Sequence, residues 1–194
     1  MTRIFFFDLD GTLRQTKSGA TFINDPTDQQ PIAGAKEAIA HYSNNFICIG
    51  ITNQGGVTGG HKSIESAITE QRITLELFPE LSEIFFCPNW GESCYQLSRG
   101  NKALPFSAPN NGGGQVSCRK PGHGMLLIAS QTFGLDDAWM AGDRPEDEQC
   151  AAAAGIKFIP AAVMLAKFTP GMSEIACTHT DPTDPNVLLE FLAL

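Results

Sequence analysis

Near its N-terminus the chain reads Ile4-Phe5-Phe6-Phe7-Asp8-Leu9-Asp10-Gly11-Thr12. Four consecutive apolar residues that end abruptly on polar ones are typical of a strand buried on both faces of a sheet. The two aspartates would then lie where the strand leaves the core, and a buried carboxylate without a partner is costly. This pattern favours a cation site at the strand end, where open α/β sheets bind their ligands. A plain Asp-Gly turn is the alternative.

Two further apolar segments also end on polar residues of the kind found in active sites. Residues 46–51 are followed by Thr52-Asn53, and residues 138–141 are followed by Gly142-Asp143. Helical patterns separate the predicted strands, at 32–42, 63–77, 125–133 and 145–154. Strands that alternate with helices indicate βαβ units, and right-handed crossovers bring the strand ends to one edge. The sequence therefore predicts an α/β fold with a Rossmann-like parallel sheet flanked by helices.

The length of 194 residues suits one domain, and we predict a single domain over 1–194. Residues 89–116 are rich in Gly, Asn, Ser and Pro and predict a long loop insertion. The polar segment 14–31 predicts a loop or a short hairpin over the site. Near the C-terminus, 180–185 predicts a loop and 185–194 predicts a helix.

Composition restricts the partners. The formal net charge is −8 and the pI is about 4.9, so the surface repels polyanions, which argues against non-specific nucleic-acid binding. No segment approaches the roughly 20 apolar residues of a membrane-spanning helix, and no signal-peptide pattern is visible. The six cysteines are scattered and do not resemble a disulfide framework. We expect a cytoplasmic protein with reduced cysteines and no membrane partner.

The paired aspartates suit phosphoryl transfer, a reaction that needs strong electrostatic assistance. Asp8 is the candidate nucleophile, because a carboxylate can form an aspartyl-phosphate and divide one difficult step into two. Mg²⁺ would be held by the carboxylates of Asp8 and Asp143 and by the backbone carbonyl of Asp10. Asp10 would act first as general acid and then as general base. We expect neighbouring carboxylates to raise its pKa.

Other polar residues would complete the site. The Thr52 hydroxyl and the Asn53 amide are expected to bind phosphate oxygens. Lys120 would place a positive charge against the nucleophile and the phosphoryl group, and Arg119 would contact phosphate or substrate. Asp147 would orient Lys120 or a metal-bound water. Each residue by itself also fits a cap, a turn or a solvated surface charge. Their order along the chain and their place at strand ends favour the catalytic interpretation.

These motifs resemble those of the haloacid dehalogenase (HAD) superfamily of phosphatases. The segment Asp8-Leu9-Asp10-Gly11-Thr12 resembles its first motif, Thr52 its second, Lys120 its third, and residues 142–147 its fourth. The resemblance spans residues 4 to about 160, in the order of the superfamily. It implies Mg²⁺, an aspartyl-phosphate intermediate and a Rossmann-like core.

Two branches with a minimal cap and an open site are similar to this chain. Heptose-bisphosphate and histidinol-phosphate phosphatases are similar to it at 52–56 and 118–122, and at Gly124-Met125-Leu126. The 3′-phosphatase domain of polynucleotide kinase/phosphatase is similar to it over 8–19, at Phe22 and at Pro26-Thr27-Asp28.

The sequence departs from the heptose-type branch at its structural zinc site. That branch binds zinc through Cys-x-His and a later Cys-x-Cys. Here Asn89 stands where the histidine would follow Cys87, and Cys118 lacks the cysteine that would precede it. A structural zinc needs a closed tetrahedral set of ligands, for which only Cys94 or His123 would be substitutes. We therefore expect no structural zinc.

We predict a Mg²⁺-dependent phosphomonoesterase that acts on a small phosphorylated metabolite, such as a sugar phosphate. The alternative enzyme is a polynucleotide 3′-phosphatase, whose basic track would comprise Arg14, Lys17, Arg99, Lys102 and Arg119. A phosphate-binding protein without turnover is a further alternative, weakened because every catalytic-type residue is present. A mutase would need a lid domain, for which the chain has room only in the insertion.

Overall fold

The computed structural model describes residues 2–169 and 184–194. Its elements, in chain order, are β1 (Arg3–Asp8), β2 (Arg14–Gln15), β3 (Gln30–Pro31), α1 (Ala35–Tyr42), β4 (Ile47–Asn53), α2 (Gly55–Thr58), α3 (Ile64–Leu77), β5 (Leu81–Cys87), β6 (Ser93–Ser98), β7 (Leu104–Ser107), α4 (Gly124–Phe133), β8 (Asp137–Gly142), α5 (Pro145–Ala154), β9 (Lys157–Pro160), α6 (Ala161–Ala166) and α7 (Pro185–Leu192). The predicted loop at 180–185 falls mostly outside the described residues, and the single domain over 1–194 stays a prediction. None of the described helices combines the length and the apolar character needed to cross a membrane.

The main sheet has seven strands in the order β7-β6-β5-β4-β1-β8-β9. β1 lies in the parallel part of the sheet, between β4 and β8. β5 and β9 continue the parallel arrangement, whereas β6 and β7 are antiparallel. The predicted α/β fold with a Rossmann-like sheet flanked by helices is confirmed, with the addition of an antiparallel edge.

That edge corrects the prediction for residues 89–116, which are not one long loop. β6 pairs antiparallel with β5, and β7 pairs with β6. Cys94 and Leu97 of β6 are buried. Strands this short depend on a neighbouring strand for their hydrogen bonds, β6 on β5 and β7 on β6, and local composition does not reveal such partners. The predicted hairpin in 14–31 is present, because β2 pairs antiparallel with β3.

Both faces of β1 are buried. On one face the rings of Phe5 and Phe7 stack with centroids 4.4 Å apart, and Phe5 also packs near Tyr42, Trp139 and Phe191. The other face packs under α4 and α5. Phe191 belongs to α7, so this aromatic cluster anchors the C-terminal helix to the sheet.

The strand register brings the polar strand ends together. Asp8, the last residue of β1, pairs with Ile51 of β4, and the preceding residue pairs with Ala141 of β8. The next residues along these neighbours are Thr52 and Gly142. The predicted gathering of strand ends at one edge is therefore found.

The substitution Phe191→Ala tests the aromatic cluster. Because Phe191 is fully buried, its removal leaves a cavity, and we expect the free energy of unfolding to fall by about 3–5 kcal/mol. Urea denaturation measures this change. Leu189→Ala is the matched control, since Leu189 lies in the same helix but is 68% exposed, and it should change stability by only about 0.5 kcal/mol. Equal losses for the two variants would contradict this packing.

Candidate active site

Three carboxylates and one ammonium group meet at the carboxyl ends of β1 and β8. Asp8 ends β1, Asp143 follows β8, and Asp147 lies in the first turn of α5. One oxygen from each carboxylate lies within 4.8 Å of the others. Lys120, from the segment before α4, places Nζ 2.5 Å from Asp8 Oδ1 and 2.6 Å from Asp147 Oδ1. The structure thus brings these four predicted residues together.

The position of Lys120 is tightly determined. Its ammonium also donates to the Ile51 carbonyl at 3.2 Å. Asn53 holds its main chain, because Asn53 Nδ2 donates to the Lys120 carbonyl and Asn53 Oδ1 accepts from the Lys120 N–H, each at 3.0 Å. The Asn53 side chain thus braces the lysine, a contact that the sequence did not predict, and its contact with a phosphate stays a prediction.

One lysine faces three carboxylates, so the cluster keeps an excess of negative charge. Burial raises the pKa of Asp8 to about 7; Lys120 opposes this rise, and Asp147 and Asp10 add to it. Burial and Asp147 also raise the pKa of Asp143. Although burial disfavours a charged ammonium, the two adjacent carboxylates raise the pKa of Lys120.

The donor set fits a magnesium ion. Mg²⁺ is bound through oxygen, usually by one or two carboxylates with water and substrate phosphate. Asp8, Asp143 and Asp147 present carboxylate oxygens close enough to share one cation, and they are the only such group among the described residues. A divalent cation would offset the negative charge that Lys120 leaves. The carboxylate of Asp10 is not part of this group, so its expected contribution remains the backbone carbonyl.

Asp147 has a second contact, at the start of α5. Its Oδ2 accepts a hydrogen bond from the Arg144 N–H at 3.1 Å. Gly142 makes room for this side chain, because a Cβ at that position would lie 2.3 Å from Asp147 Cβ. The direct contact with Lys120 fits the predicted orienting role, and a contact with a metal-bound water stays a prediction.

Asp10 differs from its prediction. Its carboxylate pairs with Arg14, whose Nε lies 2.9 Å from Oδ1 and whose Nη2 lies 3.2 Å from Oδ2. The Thr52 hydroxyl donates to Oδ2 at 3.2 Å. Burial alone would raise the pKa of Asp10, but the guanidinium outweighs this effect and lowers it. The prediction that neighbouring carboxylates raise the pKa of Asp10 is therefore wrong.

Arg14 is the site residue that sequence reasoning placed wrongly. In a basic track for nucleic acid it would face solvent, yet its side chain is completely buried. Arg99 is exposed, although its guanidinium donates to the carbonyls of Leu75, Phe78 and Leu81. The only signal for Arg14 in the sequence is its short spacing from the second aspartate, which does not distinguish an ion pair from a solvated charge.

The predicted substrate ligand Arg119 lies beside the start of α2, where a Cβ on Gly55 would be 3.3 Å from Arg119 Nη2. Its guanidinium carbon lies 5.5 Å from the ring centre of the exposed Trp90. Nη1 is buried and has no hydrogen-bond partner in the described part of the chain. Within that part of the chain the guanidinium therefore keeps an unused hydrogen-bond donor.

Cys87, Cys94 and Cys118 are buried free thiols in one apolar cluster. Cys87 Sγ lies 3.4 Å from Asn89 Oδ1. The expectation that no structural zinc is bound stays a prediction.

The fold and the site define a class, the phosphatases of the HAD superfamily, which are hydrolases of phosphoric monoesters. The family described as "Polynucleotide kinase 3 phosphatase" matches residues 3–143, from the start of β1 to the aspartate after β8. The chain belongs to this family. The resemblance noted in the motifs is confirmed.

Several proteins that are named for steps of metabolism are similar to this chain. The D-glycero-beta-D-manno-heptose-1,7-bisphosphate 7-phosphatase of Vibrio cholerae is 29% identical over 158 residues, which cover 78% of this chain and 76% of that protein. The histidine biosynthesis bifunctional protein HisB of Legionella pneumophila is 28% identical over 169 residues, which cover 82% of this chain and 41% of that protein. A crystal structure of D,D-heptose 1.7-bisphosphate phosphatase from B. bronchiseptica, complexed with magnesium and phosphate, has 22% identity and a TM-score of 0.56, and it covers 82% of this chain and 79% of that chain. This likeness shows a shared fold.

The substitution Asp143→Asn should weaken Mg²⁺ binding, because it removes one of the three carboxylate charges. We expect the Kd for Mg²⁺, measured by calorimetric titration, to rise at least about 10-fold. Asp137→Asn is the control, since Asp137 lies at the other end of β8 and pairs with Arg3. Unchanged Mg²⁺ affinity in Asp143→Asn would remove this residue from the metal site.

Without metal, the stability of the protein should fall as pH rises from about 4 to about 7. The pKa of Asp8 is about 7 in the folded protein, against roughly 3.9 in an unfolded chain. The folded state therefore binds this proton more tightly, and the resulting stabilisation is full below the unfolded pKa and is lost as pH rises through the folded pKa. Urea unfolding in EDTA measures the decline, which should be smaller in Asp8→Asn, where only Asp143 keeps a raised pKa within this cluster of carboxylates. Parallel pH curves for the two proteins would contradict the raised pKa.

Proposed function

We propose that this protein is a Mg²⁺-dependent phosphomonoesterase that works through an aspartyl-phosphate on Asp8. The observation that carries the proposal is the contact of Asp8 with Lys120 inside a cluster of carboxylates, at the edge where parallel strands end. Membership of the phosphatase family supports the activity. The related fold that was crystallised with magnesium and phosphate supports the ion.

Asp8 would supply the nucleophilic oxygen. Lys120 holds Oδ1, and the Thr12 hydroxyl donates to Oδ2 at 3.2 Å, so the carboxylate is oriented from both sides. Mg²⁺ held by Asp8 and Asp143 would supply the positive charge that lets an anionic phosphate approach an anionic nucleophile. A bond forms between the Asp8 oxygen and phosphorus while the bond from phosphorus to the leaving oxygen breaks.

Asp10 would serve both proton transfers. It protonates the leaving oxygen in the first step, and in the second it removes a proton from the water that attacks phosphorus and releases Asp8. Arg14 favours the ionised carboxylate, which suits the second step and opposes the first. The proton for the first step is the one that Asp10 takes from the attacking water in the preceding turnover. The Asp10 side chain keeps 39% of its surface exposed, which leaves room for the leaving group and the water.

The substrate that we favour is a small phosphorylated metabolite, such as a sugar phosphate. The protein would act on it in the cytoplasm. The net charge of −8 disfavours a polyanion. Two similar proteins are named for a heptose bisphosphate and for histidine biosynthesis. The unpartnered Nη1 of Arg119 would bind a second polar group of the substrate. The buried free thiols suit a reducing compartment.

A polynucleotide 3′-phosphatase is the second candidate, favoured by the family match over 3–143. Its predicted basic track is reduced, because Arg14 is completely buried. Lys17, Arg99, Lys102 and Arg119 remain. Such an enzyme would bind DNA ends with an affinity that falls steeply with salt.

The substitution Asp8→Asn should abolish turnover while the fold survives. We expect kcat to fall at least about 10⁴-fold, because the amide removes the nucleophile. Phosphate release measures the loss, and circular dichroism checks the fold. Asp137→Asn, at the opposite end of the sheet, should retain activity. Near-normal turnover by Asp8→Asn would sink the mechanism.

A substrate panel, assayed for phosphate release with Mg²⁺ and with EDTA, tests the function. It contains p-nitrophenyl phosphate, sugar mono- and bisphosphates, histidinol phosphate and a 3′-phosphorylated oligonucleotide. We expect metal-dependent release, highest from a sugar phosphate. Preference for the oligonucleotide would favour the second candidate, and no release from any substrate would overturn the proposed activity.

A further inference from the structure

Arg14 makes a forked contact with Asp10. Two nitrogens of its guanidinium, Nε and Nη2, bond to the two oxygens of the carboxylate at 2.9 and 3.2 Å. Two parallel N–H···O bonds between planar groups fix their relative orientation as well as their distance. Asp10 therefore cannot rotate about its last side-chain bond without losing one of them.

A second set of contacts holds Arg14 from the other side. Nη2 lies 2.6 Å from Glu70 Oε1, and Nη1 donates to Gln29 Oε1 at 3.2 Å and to the Thr74 hydroxyl. The buried Glu70 is in turn bonded by Lys62, with Nζ 2.5 Å from Oε2. The sign of the charge alternates along this charged row, which consists of Asp10, Arg14, Glu70 and Lys62.

Stability alone does not account for the charged row. Desolvation of buried ion pairs is costly, and apolar residues of similar volume often replace them without loss. The side chains of Arg14 and Glu70 are almost completely buried, yet the row ends on Asp10, whose side chain is 39% exposed. The most exposed member of the charged row is thus the carboxylate of Asp10, which borders the candidate active site.

We propose that Arg14 is a positioning residue for Asp10 and that Glu70 keeps Arg14 in place. The proposal rests on the proposed phosphatase function, in which Asp10 transfers protons. The fork from Arg14 and the Thr52 hydroxyl hold the carboxylate so that its exposed edge faces the leaving oxygen. A lysine in place of Arg14 keeps the charge but cannot form the fork.

The row also connects Asp10 to the chain segment that follows the first motif. Lys62 Nζ donates to the Ile23 carbonyl at 2.9 Å, and the Gln29 amide donates to the Glu70 carbonyl at 3.0 Å. Ile23 is thereby tied to the residues just before α3, and Gln29 to the middle of that helix. The same contacts that orient Asp10 hold this segment in place.

Arg14→Lys, assayed on two substrates, tests the positioning role. The leaving oxygen of an alkyl phosphate needs a proton, whereas 2,4-dinitrophenyl phosphate releases a stable anion that needs none. We expect kcat/KM on the alkyl phosphate to fall about 10- to 100-fold, because this ratio covers the steps up to loss of the leaving oxygen, and proton transfer from Asp10 to that oxygen is misaligned. On the dinitrophenyl ester kcat/KM should change by less than about 3-fold, because its leaving oxygen needs no proton. Hydrolysis of the aspartyl-phosphate is common to both substrates and does not enter kcat/KM. Glu70→Gln should give the same split with a smaller loss.

Arg72→Lys is the matched control, because Arg72 is an exposed arginine on α3 that donates to the Asn101 carbonyl. It should leave both rates unchanged. If Arg14→Lys does not fold, Glu70→Gln carries the test, since its amide oxygen still accepts from Arg14. Equal losses on the two substrates, or no loss, would overturn the positioning role alone. A wild-type protein inactive on both substrates would overturn the proposed function with it.

Discussion

Repulsion among the carboxylates of Asp8, Asp143 and Asp147 is the constraint on which the rest of the site depends. They lie close together at a sheet edge, and one ammonium group, that of Lys120, is shared between two of them. One lysine cannot balance three carboxylates, so the cluster has the charge and the oxygen ligands that a divalent cation needs. Burial, with the charges of Asp147 and Asp10, disfavours ionisation of Asp8.

Backbone geometry makes this concentration of charge achievable. Parallel pairing of β1 with β4 and β8 brings three strand ends side by side. Gly142 leaves space for the Asp147 side chain, and Asn53 clamps the main chain of Lys120. The aromatic cluster around Phe5 packs one face of β1 against α7, and the charged residues lie at the end of that strand.

Much of the fold and part of the site could be predicted from sequence, because the signals are local. Asp8, Thr52 and Asp143 each follow an apolar run, and the handedness of the crossovers brings such ends together. The strands β6 and β7 could not be predicted in this way, since β6 is stabilised by pairing with β5 and β7 by pairing with β6. The brace formed by Asn53 also escaped prediction, because its partner Lys120 lies 67 residues away.

The sequence by itself determined the chemical class. Two aspartates at a strand end, a later lysine and a further aspartate follow one another in the order of a phosphatase superfamily. Only the tertiary structure decided which charged side chains are buried and which are exposed. The sequence predicts Arg14 as a surface cation, yet it lies buried between Asp10 and Glu70, the latter 56 residues further along the chain. The direction of a side chain and its loss of solvent depend on distant segments that pack around it, and local composition does not encode them.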